Sequence, residues 1–127
     1  MPTLEDRFEA FTLSRLKSAT YFSLKHWSYR HRDRNYWLRE VSAMFGKPKG
    51  EYEHIVLQIT RILGKQERQY DEDNLRYGSA KQIVDAFVRL GWVPDDNPNY
   101  VTVEVAQVKD QRDKPGTLIR VIARRRK

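Results

Sequence analysis

The sequence predicts a single α+β domain, a mixed β-sheet flanked by helices, and two features of the chain carry that prediction. Stretches rich in β-branched residues read as strands, and stretches with apolar residues at helical spacing lie between them. The two kinds of segment interleave along residues 1–127 without a linker-like composition, so one domain is expected, long enough to bury a modest core.

Near the amino terminus Phe8, Ala10 and Thr12 alternate with Glu9, Phe11 and Leu13, which favours a strand over the helical face that Leu4, Phe8 and Phe11 would also fit. From Trp27 to Phe45 the pattern becomes that of a basic amphipathic helix, with Trp37, Val41, Met44 and Phe45 among Arg30, Arg32, Arg34 and Arg39. Gly46 and Pro48 end it. Residues 54–63 hold Ile55, Val56, Leu57, Ile59, Ile62 and Leu63 and read as a largely buried strand. Ser79-Ala80-Lys81-Gln82 has the form of a capping box, so a helix starts there, buries Ile83, Val84, Phe87 and Leu90, and stops at Gly91. After the turn-rich Pro94 to Asn99, Val101, Val103 and Val105 alternate with Thr102, Glu104 and Ala106. A polar loop over 110–116 then leads to 117–122, expected as the antiparallel hairpin partner of that strand. The basic run at 124–127 reads as a disordered, solubilising tail.

The net charge of +7 favours a polyanionic partner through long-range attraction and counterion release. A chain without cysteine has no disulfide, no thiolate zinc site and no thiol nucleophile, and it suits a reducing compartment. No apolar run approaches the roughly 20 residues that span a bilayer. The first residues, with Glu5 and Asp6 among scattered apolar side chains, do not resemble a signal peptide, so a cytoplasmic protein is expected, with no membrane partner.

Within this basic chain three clusters of acid stand out: Asp71-Glu72-Asp73-Asn74, then Asp85, then Asp95-Asp96. Carboxylate oxygens are the hard ligands that Mg²⁺ selects, and Mg²⁺ takes one or two of them together with water and substrate phosphate oxygens. On an extended segment Asp71 and Asp73 would point to the same side, because side chains alternate with period two. Asp96 would have to join them through the chain reversal of the following helix. The competing reading is a solvated surface in which these residues act as caps and turn formers. A calcium loop of the EF-hand type does not fit, because the glycine and distal glutamate are not at the required spacings.

Asp71-Glu72-Asp73-Asn74-Leu75, followed by Lys81, Asp85-Ala86-Phe87, Gly91 and Asp95-Asp96, resembles the RusA family of Holliday junction resolvases. The resemblance implies a RusA-like homodimer, an Mg²⁺-dependent endodeoxyribonuclease that also accepts Mn²⁺, needs no organic cofactor and nicks two opposed strands of a four-way junction in DNA recombination and repair. Carried over by position, it implies that Asp71, Asp73 and Asp96 hold the metal. Lys81 would be the catalytic base or electrostatic residue, reached after an insertion, Arg76-Tyr77-Gly78-Ser79, relative to the family's commonest spacing. Asp85 would support Lys81.

The basic and aromatic stretch with Lys25, His26, Arg30, Arg32 and Arg34 is the expected DNA surface. Guanidinium groups fork onto phosphates, and Trp27 or Tyr29 would stack on bases left unpaired at a branch point. The apolar surplus of Trp27, Tyr29, Tyr36, Trp37 and Phe45 suggests the homodimer interface. Two other functions fit the same residues: a branched-DNA-binding protein without cleavage, and a metal-dependent nuclease of flaps or forks.

Overall fold

The computed structural model describes residues 4–109 and 114–126. In chain order the elements are β1 (Glu5–Thr12), α1 (Ala19–Ser23), α2 (Trp27–Met44), β2 (Tyr52–Leu63), α3 (Glu72–Arg76), α4 (Ser79–Arg89), β3 (Val101–Lys109) and β4 (Gly116–Arg125). They form one small α+β domain on a four-stranded mixed sheet, ordered β1-β4-β2-β3. β4 is antiparallel to both of its neighbours, whereas β2 and β3 are parallel and are joined through α3 and α4.

Alternation decides which face of the sheet is covered. Ile55, Leu57 and Ile59 of β2 and Ile119, Val121 and Ala123 of β4 are fully buried, while the residues between them are half-buried or exposed. Trp37 and Val41 of α2 and Ala80, Ile83 and Phe87 of α4 close over that face. Burial of each large apolar side chain contributes about 1.5–3 kcal/mol. At the start of β2 a bulge between Tyr52 and His54 resets the alternation, so that Tyr52 joins the covered face and its ring stacks on Trp92 at 5.6 Å.

Three expectations are corrected. β3 and the final strand are not a hairpin: they lie on opposite sides of β2. The fully buried Ile119, Val121 and Ala123 demand a central position, whereas β3 exposes Thr102, Glu104, Ala106 and Val108 and suits an edge. The capping box does not form either. α4 does begin at Ser79, but Gly78 is its N-cap and the Ser79 hydroxyl instead accepts the Lys17 backbone N–H at 2.8 Å. Nor are residues 124–126 a loose tail, since Arg124 and Arg125 end β4 and pair with Glu53 and Asp6, and Arg126 reaches Glu51. Lys127 and the 110–113 part of the polar loop lie outside the described residues.

Other expectations hold. The amino-terminal strand forms, α2 ends one residue before Phe45, and Gly46 and Gly91 take the left-handed backbone, φ 68° and 88°, that stops a helix. No helix among the described residues is long and apolar enough to cross a membrane.

Candidate functional site

The placement of Asp71 starts from a buried cation. Arg61 occupies an inward position of β2, and its guanidinium donates to the Arg68 carbonyl at 2.8 Å and to Gln107 Oε1 at 3.0 Å, with Glu67 at 3.3 Å. The Tyr70 ring lies 3.7 Å from that guanidinium. Gln107 of β3 then clasps Tyr70 on both sides, accepting its N–H at 2.8 Å and donating to its carbonyl at 2.7 Å. The chain is thereby fixed at the residue before Asp71. Sequence reasoning missed this scaffold, although an arginine among inward-facing Ile55, Leu57, Ile59 and Leu63 was a signal of it.

Asp71 and Asp73 do not lie on an extended segment as expected. Asp71 is the N-cap of the short helix α3, with no hydrogen bond from its own side chain to the cap, and Asp73 is in the first turn. Buried Leu75 and the cap geometry favour helix over strand here. Asn74 ties α3 to α1, accepting the Thr20 N–H at 2.7 Å and the Thr20 hydroxyl at 3.0 Å. Arg76 donates to the Val103 carbonyl at 2.8 Å and pairs with Glu72 at 3.0 Å. Asp71 and Asp73 are exposed and still share one groove, with Thr20, Glu72, Asn74 and Tyr77 around them.

Lys81 and Asp96 lie in a second groove, of about 500 Å³, which also has Tyr77 in its wall. Trp27, Arg30, His31 and Arg34 of α2 form its other side. Lys81 is exposed in the first turn of α4 and makes no ion pair with a described residue. Asp85, expected to support Lys81, pairs with Arg34 at 3.5 Å and Arg89 at 3.0 Å instead. The two aspartates that precede β3 divide their roles. Asp95 is a turn former, accepting the Asp96 N–H at 2.7 Å and the Asn97 side chain at 3.1 Å; these bonds hold its carboxyl below the usual range. Asp96 is left to face the groove.

The Tyr77–Gly78 turn divides the grooves, and it belongs to the segment that reads as an insertion. Arg30 donates to the Tyr77 carbonyl at 3.2 Å, and the Ser79 N–H donates to the Lys17 carbonyl at 2.8 Å. Gly78 is packed so tightly on residues 17–18 that a Cβ would sit 1.9 Å from the Lys17 carbonyl oxygen. Asp33 of α2 is buried nearby, with Oδ2 lacking a hydrogen-bond partner among the described residues. Burial pushes its carboxyl up, opposed by the Ser79 hydroxyl and by the charges of Lys17 and Arg30.

The four predicted catalytic residues are thus gathered on one side of the domain, but as two pairs. Asp71 and Asp73 are in one groove, Lys81 and Asp96 in the next, and no trio of His, Asp or Glu among the described residues is arranged to hold a metal ion. No model of a known protein family matches the chain, and no curated protein matches its sequence.

The expected DNA surface is divided as well. His26 is the N-cap of α2, its Nδ1 accepting the Ser28 N–H at 3.2 Å. Lys25 lies over the Tyr21 and Tyr29 rings, and Arg32 over Tyr29. Arg30 and Arg34 face α4. Of the aromatic residues expected at an interface, Trp37 is wholly inside the core and Phe45 packs on Phe87 at 5.3 Å, because one face of α2 is needed to cover the sheet. Trp27, Tyr29 and Tyr36 remain exposed, and Tyr36 together with Ser14 and Thr12 binds Glu40, whose carboxyl is held low chiefly by the Ser14 hydroxyl.

Proposed function

We propose that this protein is an intracellular, Mg²⁺-dependent endonuclease of branched DNA that acts as a homodimer and resolves four-way junctions by paired nicks in recombination and repair. The observation that carries the reading is that an acidic groove with Asp71 and Asp73 and a mixed groove with Lys81, Asp96, Arg30 and Arg34 share Tyr77 in their walls. The RusA resemblance of residues 71–96 supports it.

The residues present fit a hard divalent cation. Asp71 and Asp73 are exposed carboxylates in one groove, and Mg²⁺ needs only one or two of these. When bound there, Mg²⁺ supplies positive charge against the scissile phosphate and Mn²⁺ can do the same. Asp96, in the neighbouring groove, would act from the Lys81 side of the substrate and not as a third ligand beside Asp71 and Asp73. Lys81, with no carboxylate partner among the described residues, stabilises the charge that develops on the phosphate, and Arg30 and Arg34 hold the flanking backbone. Asn74 and Arg76 keep α3 in place, so the acids are positioned before substrate arrives. A junction presents two equivalent strands and one chain carries one such constellation, so paired incision calls for a two-fold dimer.

The division of the acids between two grooves favours a second reading, a branched-DNA-binding protein that does not cut. Incubation with synthetic four-way, flap and linear duplex DNA, with Mg²⁺ and with EDTA, separates them. Symmetric nicks in the four-way junction, dependent on Mg²⁺, are expected, together with a light-scattering mass about twice 15.2 kDa. Tight binding without nicks selects the second reading, and preferential cutting of flaps a nuclease of another branched structure.

A further inference from the structure

α2 has two basic flanks, and they differ in how many exposed carboxylates face their cations. The flank toward α4 has Arg34 paired with Asp85, with Asp96 in the same groove. On the opposite flank Arg32 and Arg39 face Arg15 and Lys17 of the segment between β1 and α1, enclosing a groove of about 590 Å³. All four cations are exposed. Against them stands one lining carboxylate, Asp33, which is buried with only 4 % of its surface accessible. Arg15 also pairs with Glu67 at 3.5 Å, whereas Lys17, Arg32 and Arg39 make no ion pair with a described residue. Lys17 lies 4.9 Å from the centre of the Tyr21 ring and Arg32 5.2 Å from that of Tyr29, contacts that orient the cations without neutralising them.

Like charges gathered in a concavity repel one another unless an anion offsets them, and a row of phosphates does so for several at once. We propose that the groove lined by Arg15, Lys17, Arg32 and Arg39 is a second nucleic-acid track, which holds the DNA backbone on the side of α2 turned away from the acids. α2, about 10 Å across, then stands as a ridge between two stretches of backbone. The proposal deepens the branched-DNA reading and rests on nucleic-acid binding, but it does not require cleavage.

The test is anisotropy binding of a four-way junction in EDTA, across a salt series, with the full chain and its Lys17→Gln/Arg39→Gln variant. Two lost phosphate contacts flatten the dependence of log K on log salt by about 1.8 and weaken binding by roughly sixtyfold at 0.1 M salt. An unchanged slope in a folded variant overturns the track. The chain has no cysteine, so Asn35→Cys, in the same groove, carries a unique azidophenacyl photocrosslinker. Crosslinking to the junction is expected; if the double variant does not fold, absence of the crosslink overturns the proposal instead. A wild-type chain that binds no DNA removes both readings, and one that binds without cutting removes only the nuclease.

Discussion

The two grooves on either side of Tyr77 differ in how their charge is balanced. In the groove of Asp71 and Asp73 the one carboxylate with a cationic partner among the described residues is Glu72, bound to Arg76. In the groove of Lys81 and Asp96 the arginines of α2 stand among the acids, and Asp85 is held by Arg34 and Arg89. Unbalanced carboxylates favour a cation, and a mixed groove with cations in excess favours a phosphate. A few residues therefore separate two chemistries, and what keeps them apart is the packing of one turn.

The largest effect should come from breaking that turn. Gly78→Ala drives a methyl group into the Lys17 backbone and should cost on the order of 3–5 kcal/mol, or prevent folding. Gly91→Ala meets no atom within 4 Å and strains only its φ, so it should cost about 1–2 kcal/mol. Thermal unfolding followed by circular dichroism compares them, and equal losses would mean that the turn is not tightly packed.

Next come the acids. Asp71→Asn and Asp73→Asn should each lower junction cleavage by about a hundredfold or more with binding nearly intact, since a lost carboxylate also removes repulsion toward phosphate. Asp96→Asn probes whether the grooves act together. Cleavage at the wild-type rate in Asp96→Asn would confine the chemistry to the α3 side, and full activity in any two of the three variants would remove the metal-site assignment.

A smaller change is expected in Arg34→Gln, which leaves Asp85 with Arg89 and removes one phosphate contact from the mixed groove. The salt dependence of junction binding should flatten by about 0.9. An unchanged slope would show that Arg34 serves Asp85 alone.

The smallest concerns Asp33, beneath the divider. Because its folded carboxyl is raised, the native state binds the proton more tightly than the unfolded chain, so this residue opposes folding at neutral pH and the penalty fades as pH falls through the raised value. Asp33→Asn should therefore raise Tm at pH 7, with the advantage shrinking toward pH 4. A uniform loss of Tm across that range would mean that the carboxylate makes a bond worth more than its burial costs.

Local pattern alone determined a good deal of this protein. The β-branched run of 54–63, the apolar stripe of Ile83, Val84 and Phe87, and the terminating Gly46 and Gly91 are short-range signals, because periodicity and backbone sterics act within one element. The sequence also singled out Asp71, Asp73, Lys81 and Asp96, which line two grooves, two in each, where one shared pocket was expected. What tertiary structure decided was every matter of partners. The final strand sits between β1 and β2 because its inward residues need covering on both sides, a demand that a short polar loop does not announce. Asp71 caps a helix because Leu75 is buried and Asn74 has Thr20 to bind. Ser79 serves Lys17, distant in sequence, in place of its own helix end. Charge, composition and periodicity are properties of a segment, whereas pairing, close approach and the sharing of a groove arise only when segments far apart in the chain meet.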